Sequence, residues 1–444
     1  MNLRAYIQAS LLICFTIQCF GCSRAETCTF LPRTATPQTD ATVVADALGV
    51  NINFTDPQPD EVKMISEAGF RWVRMDLKWD QTETEKGKYD FSAYDRLMTS
   101  LEPFHIRALF ILDYSNPLYD DDHPPRTEDS RQAFARWAVA AGKHFAGRGV
   151  LWEIYNEPNH SLFWPPKPNV DEYIALALTV GKAFREALPN EKLIGPATSE
   201  IDFEFVEACF KGGLLEYWSF VSIHPYRRSD PESVALDYCR LRHLISTYAP
   251  RIDKTGTDPA RKQVEIISSE WGYSDIWRNM DPEVQGKMLA RSMLTNLGNG
   301  VAISIWYDWR DDGSDPKEPE HHFGTVSRSY VKGRNPVYEP KPAYLAAQTL
   351  TKMLGRSQFE SRIDTGNAED YILLFAKDSK LTVAAWTTSS REHKVVIPLP
   401  RGEYRRVSFN GGFSEQMSVD DQGLRVTLTQ APEYIQNGSD SPQD

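Results

Sequence analysis

Between Leu48 and Leu354 the chain alternates eight times between a short apolar run and a stretch of helical period. The apolar runs are Leu48–Phe54, Trp72–Met75, Arg107–Leu112, Leu151–Tyr155, Lys192–Gly195, Phe220–Ile223, Val264–Ser268 and Val301–Trp306. Each is flanked by turn residues and carries little polar alternation, as expected of strands covered on both faces. The helical stretches are Pro59–Ala68, Ser92–Pro103, Glu128–Phe145, Val170–Leu188, Phe203–Lys211, Pro231–Tyr248, Pro282–Leu297 and Pro342–Leu354. Several open on proline or an acidic first turn, and Gly212 and Gly355 stand where C-caps belong. Eight such pairs in roughly 310 residues have the size of a (β/α)8 barrel, an α/β fold. A doubly wound sheet also alternates, but no GxGxxG or phosphate loop follows the first strand.

After residue 356 the period changes from 3.6 to 2. Tyr371–Ala376, Leu381–Trp386, Lys394–Pro398, Tyr404–Ser408 and Leu424–Leu428 alternate apolar and polar residues between turn signals. They predict a small C-terminal antiparallel β domain, sandwich-like, over 356–432, and the polar residues 433–444 read as a disordered tail. The barrel is expected over 46–355. Before it, Arg4 and the apolar stretch Leu11–Phe20 read as a signal peptide over 1–21, and residues 22–45 as a linker. The step Gly21-Cys22-Ser23 is that of a lipobox, although Cys19 stands where a large aliphatic residue is usual; lipidation of Cys22 and ordinary cleavage nearby both stay open. The protein is therefore expected outside the cytoplasm: periplasmic, attached to the cell surface as a lipoprotein, or secreted.

Of the six cysteines, Cys209 and Cys239 fall in helical stretches, where buried free thiols are the simpler reading and a mutual disulfide the alternative. The formal net charge of -12 argues against nucleic acid or an anionic membrane surface as the main partner. A monomer is expected.

In a barrel of this kind chemistry belongs where strands end and βα loops begin. The fourth run, Leu151-Trp152-Glu153-Ile154-Tyr155, leads into Asn156-Glu157-Pro158-Asn159, and the seventh leads into Ser269-Glu270-Trp271-Gly272. Glu153 falls within its strand, whereas Glu157 and Glu270 fall at two strand mouths. Two carboxyls facing each other there suit glycosidic cleavage, one as proton donor and one as nucleophile or as base toward water. His321-His322 lacks the helix or spaced carboxylate of a metal site, Asp120-Asp121-Asp122 lacks alternate ligands for calcium, and no GxSxG or HExxH occurs. No metal or other cofactor is expected.

The segments Trp152–Asn159 and Ile267–Gly272 resemble the fourth- and seventh-strand signatures of clan A retaining glycoside hydrolases, most of all family 39, with family 5 features. The resemblance spans roughly residues 48–355. It implies Glu157 as acid/base, Glu270 as nucleophile, and Asn156 as a contact to the sugar 2-hydroxyl. It further implies Arg74 beside the nucleophile, His224 beside the acid/base, Tyr226 beside the nucleophile, and Trp306 as a floor under the sugar. One departure is clear. Family 5 enzymes often place a histidine at the end of the third strand, and here that strand ends Leu112-Asp113-Tyr114. Asp113 is then either a sugar ligand or a turn residue, with Tyr114 beside it.

Aromatic residues in the βα loops (Trp79, Trp164, Trp271, Tyr273, Trp277, Tyr307 and Trp309) offer faces on which sugar C–H groups stack, although some must serve packing. Lys167, Arg227, Arg228 and Arg310 lie in the same loops and would suit an acidic sugar. The reading is a hydrolase of an extracytoplasmic oligo- or polysaccharide. The alternatives are a transglycosylase using the same glutamates and a catalytically silent carbohydrate-binding lipoprotein.

Overall fold

A computed structural model describes residues 43–251 and 262–438. The expected signal peptide, Cys22 and most of the linker lie outside the described residues. The linker gives way earlier than expected: Val44 is fully buried, and its N–H donates to the Ser357 carbonyl.

Eight parallel strands close into a barrel, each paired with the next and β8 returning to β1. They are β1 (Leu48–Asn51), β2 (Trp72–Lys78), β3 (Arg107–Asp113), β4 (Leu151–Ile154), β5 (Lys192–Ser199), β6 (Trp218–His224), β7 (Glu265–Trp271) and β8 (Ile303–Trp306). The helices that follow them are α1 (Glu61–Glu67), α2 (Ser92–Leu101), α3 (Glu128–His144), α4 (Val170–Ala187), α5 (Phe203–Lys211), α6 (Ala235–Tyr248), α7 (Pro282–Gly298) and α8 (Pro342–Leu354). Their starts have local causes. Thr127, Asn169, Asp202 and Asp281 each accept a backbone N–H of the first turn. Gly212 caps α5 in a right-handed conformation, and the left-handed residue is the next one, Gly213 at φ 85°.

The barrel interior is an apolar plug of Trp72, Leu109, Ile111, Leu151, Ile194, Ile267, Ile303 and Ile305. Side chains alternate across a strand, so the residues two further on also face inward. On β2 these are Arg74 and then Asp76, on β3 Asp113, and on β4 Glu153. The plug thus carries a polar layer at the C-terminal mouth. The larger apolar layer lies between the strands and the surrounding helices.

The C-terminal domain contains β9 (Gln358–Arg362), β10 (Asp370–Lys377), β11 (Lys380–Thr387), β12 (His393–Ile397), β13 (Gly402–Ser408), β14 (Ser414–Val419), β15 (Leu424–Leu428) and β16 (Glu433–Asn437). Six strands form one antiparallel sheet in the order β14-β13-β16-β11-β10-β9, and β12 pairs with β15. Residues of both sheets, among them Ile372, Val383, Ile397, Val426 and Ile435, share one core. Leu373, Phe375, Ala384, Trp386 and Tyr434 belong instead to the barrel's core, so the main sheet is covered on both faces. Residues 433–437, expected in the disordered tail, are an interior strand between β11 and β13. Tyr434 and Ile435 supply the burial that the polar residues beyond them conceal.

Cys209 is a buried free thiol, whereas Cys239 is disulfide-bonded. This excludes the Cys209–Cys239 bridge and corrects the free-thiol reading of Cys239. Among the described residues no helix is long and apolar enough to cross a membrane.

Candidate active site

Arg74 is the hub of the mouth. It is 1 % exposed, and each guanidinium nitrogen has a partner, drawn from β4 and the turn after it, from β6 and from β7. Its Nε donates to Glu153 Oε2 at 2.7 Å, and its Nη1 to Glu270 Oε2 at 2.6 Å. Nη2 donates to Asn156 Oδ1 at 2.8 Å and lies 3.2 Å from His224 Nε2. Burial works against the guanidinium charge, but the carboxylates of Glu153 and Glu270 overcome it and raise its pKa. Glu153 therefore anchors the hub, a role its position within a strand did not announce.

These contacts set the histidine tautomer. Arginine has no acceptor, so Nε2 of His224 must accept, and the ring proton resides on Nδ1. Nδ1 then donates to Glu157 Oε1 at 2.9 Å. Tyr226 donates its hydroxyl to Glu270 Oε1 at 2.9 Å. Burial and the adjacent Glu270 carboxylate push the phenol well above its usual pKa, so Tyr226 remains a donor. Both oxygens of Glu270 accept hydrogen bonds, while Glu157 takes one from a neutral imidazole.

The backbone after β4 is folded tightly to deliver Glu157. Tyr155 and Glu157 both take left-handed conformations, at φ 68° and 43°. Such strain persists only where surrounding bonds enforce it. Here Tyr155 N–H donates to Leu112 O and Glu157 N–H to Ala197 O, while Asn159 exchanges two hydrogen bonds with Ser199. Across the mouth, Gly272 lets the end of β7 approach β8: a Cβ there would stand 2.1 Å from the Tyr307 carbonyl oxygen.

Glu157, His224 and Glu270 each offer an atom within 4.8 Å of the others. Such a trio also has the composition of a metal site. However, both ring nitrogens of His224 are committed, and the Arg74 guanidinium already sits against Glu270. One oxygen of Glu157 and one of Glu270 thus lie within 4.8 Å of each other; retaining glycosidases hold their two carboxyls about 5–5.5 Å apart and inverting ones about 6.5–9.5 Å.

Of the residues singled out from sequence, Glu157, Glu270, Asn156, Arg74, His224 and Tyr226 are brought together. Five tryptophans are not available as sugar platforms, Trp79 and Trp309 among them at 0 % and 1 % exposed. Trp164 is fully buried, bonded to Glu172 and packed on Tyr155. Trp271 is 2 % exposed. Trp306 is 1 % exposed, donates Nε1 to Phe323 O and packs on Tyr273. These rings hold the loops rather than line the cleft. Tyr307, like Tyr226, is a partly exposed aromatic residue beside the pair, and its pKa is raised by burial, Asp308 and Glu270. Asp113 is fully buried, and Tyr114 is partly buried and stacked on Phe163.

The loop cations are mostly committed as well. Arg310 pairs with the buried Glu61, and Arg227 with Asp237. Arg228 lies over the Trp277 ring at 4.6 Å. A cavity of about 590 Å³ opens at the opposite end of the barrel, lined by the strand starts Trp72, Arg107, Lys192, Phe220 and Glu265. It is remote from the carboxyl pair and belongs to the face where barrels keep stability rather than chemistry.

The architecture is that of the (β/α)8 enzymes that carry an appended β domain, with a carboxyl pair at the C-terminal mouth. Solved structures share it. A family 39 glycoside hydrolase from the gut symbiont Bacteroides cellulosilyticus WH2 aligns with a TM-score of 0.73 at 23 % identity, over 89 % of this chain and 82 % of that one. A monomeric beta-xylosidase from Caulobacter crescentus CB15 gives 0.64 at 17 % identity, over 89 % and 97 %. A family 30 endoxylanase from Clostridium papyrosolvens C71 gives 0.62 at 12 % identity, over 90 % and 98 %. No family model and no curated protein matches the sequence. At these identities the likeness is one of fold, and function has to be argued from the site.

Proposed function

We propose that this chain is a retaining glycoside hydrolase, cleaving O-glycosidic bonds of an oligo- or polysaccharide outside the cytoplasm. The observation that carries the reading is the approach of Glu157 and Glu270 to within 4.8 Å, with Glu270 held by Arg74 and Tyr226. In the first step a Glu270 oxygen attacks the anomeric carbon while Glu157 gives its proton to the leaving oxygen. In the second step Glu157 takes a proton from water, which attacks the same carbon and releases Glu270. His224 orients Glu157 through both steps. Asn156 Oδ1 accepts from Arg74 Nη2, which leaves the Asn156 amide hydrogens for the sugar 2-hydroxyl. The chemistry needs neither a metal nor an organic cofactor.

The enzyme-catalysed reaction on solved relatives of the fold, a xylosidase and a xylanase by their names, agrees with this class of chemistry. The apolar stretch Leu11–Phe20 supports export, and Cys22 is the residue for lipid attachment if the chain is anchored. A monomer suffices, since every group in the mechanism comes from one chain. Glu270→Gln should abolish turnover of aryl glycosides and polysaccharides while the circular dichroism spectrum stays unchanged. Undiminished turnover would refute the assignment.

A further inference from the structure

Asp76 and Asp113 stand at the same mouth, and the reaction just described uses neither. Asp76 follows Arg74 by two residues on β2 and shares its inward face. Asp113 ends β3 directly opposite Lys78 in the register. Asp113 is fully buried, and neither of its oxygens meets an N–H or hydroxyl donor. A carboxyl so placed cannot remain an anion. Burial and the neighbouring Asp76 raise its pKa well above the usual range, and the acceptor that faces its proton is Asp76. Burial raises the pKa of Asp76 as well, but Arg74, Lys78 and the hydrogen bond from Asp113 oppose that rise. The proton therefore stays on Asp113. Asp76 remains 31 % exposed, with Lys78 Nζ 3.9 Å from its Oδ2.

Resting on the glycosidase reading above, we infer that Asp76 is the sugar-hydroxyl acceptor of the subsite beside the catalytic pair, that Asp113 is its positioning residue, and that the subsite takes an uncharged sugar. Asp76 has oxygens that accept from hydroxyls, and a hydroxyl bound to a carboxylate makes a short, strong hydrogen bond. A uronic acid would instead bring a further negative charge beside Asp76, Glu270 and Glu157. The mouth already concentrates such charge. Burial, and then Glu270, push the Glu320 carboxyl above its usual pKa. Arg74, Arg310 and Lys341 are each bound to carboxylates of the protein, and Lys78 is shared with the Asp76 carboxylate itself at 3.9 Å. Specificity here is partly repulsive.

The test uses the full chain and aryl glycosides in matched pairs, each neutral hexoside against the uronide of the same configuration (gluco, galacto and manno). The neutral member of the pair that is cleaved should show a kcat/KM about 100-fold above its uronide. Asp76→Asn should lower the neutral value by about 10-fold or more and narrow that ratio. Asp113→Asn, which keeps a donor toward Asp76, should retain more of the selectivity than Asp113→Leu. A preferred uronide, equal losses on both members, or identical effects of the two Asp113 variants would overturn the inference. Calorimetric binding of the same glycosides to Glu270→Gln separates this from failure of the hydrolase reading. Neutral-sugar binding weakened by adding Asp76→Asn supports the subsite even where nothing is cleaved, and binding indifferent to Asp76 overturns it.

Discussion

Arg74 and Glu153 form an ion pair of 2.7 Å inside the barrel, with neither side chain more than 1 % exposed. The pair connects strands 79 residues apart in sequence and leaves the remaining guanidinium nitrogens free to reach Glu270, Asn156 and His224. Removing one partner of such a pair leaves a buried charge uncompensated. Glu153→Ala should cost about 3–5 kcal/mol of stability by denaturant titration. Arg74→Lys keeps the charge but loses the planar fork, and should lower kcat by about 10²-fold. A Glu153→Ala protein as stable as the parent would contradict the role of the pair.

His224 touches Glu157 and Arg74 but faces no solvent. Its loss should harm the step that needs proton donation. With His224→Ala, kcat for glycosides with poor leaving groups should fall by about 10²-fold, and for dinitrophenyl glycosides far less. Equal losses across leaving groups would show that the histidine serves only to fill space.

The β domain is clamped to the loop that carries Tyr226. Trp386 of β11 donates to Glu232 Oε1 at 2.6 Å, and Arg291 of α7 holds both oxygens of the same carboxylate. All three side chains are buried. Trp386→Phe keeps the ring but removes the donor, at a cost of about 1–3 kcal/mol. Thermal unfolding should register a lowered midpoint; an unchanged midpoint would mean that the hydrogen bond contributes nothing to docking.

Asp308 gives a pH signature. It is 2 % exposed, and burial, then Asp312 and Asp311, raise its pKa well above 3.8. For a carboxyl with a raised folded pKa, the stabilising contribution is complete below the unfolded value and is lost as pH rises through the folded value. Asp308→Asn cannot ionise. Its unfolding midpoint relative to the parent should therefore rise as the pH is raised above about 4, the unfolded carboxyl's value. A difference that is constant with pH, or that falls, would contradict the buried-acid assignment.

The barrel was legible because each strand is a separate apolar run and each helix keeps its own period. Glu157 and Glu270 were legible because each stands two residues past the end of such a run. Glu153 was not, since period alone places it inside a strand and says nothing of a partner on β2. The tryptophans misled for the opposite reason. Trp164, Trp271 and Trp306 lie where sugar platforms belong, but a large ring in a βα loop also packs that loop, and burial is a property of the assembled layers. In the β domain, β14 was missed because Ser414–Val419 is an edge strand with little apolar content, and β16 because the residues after it are polar. The Asp76–Asp113 pairing depends on the β2–β3 register, which composition does not encode.

The central claim is direct attack by Glu270 on the anomeric carbon, and the configuration of the first product tests it most directly. Proton NMR of a freshly cleaved aryl glycoside should show the anomer of the substrate's own configuration before mutarotation sets in. First appearance of the opposite anomer would mean that water attacks in a single displacement, and would contradict the account.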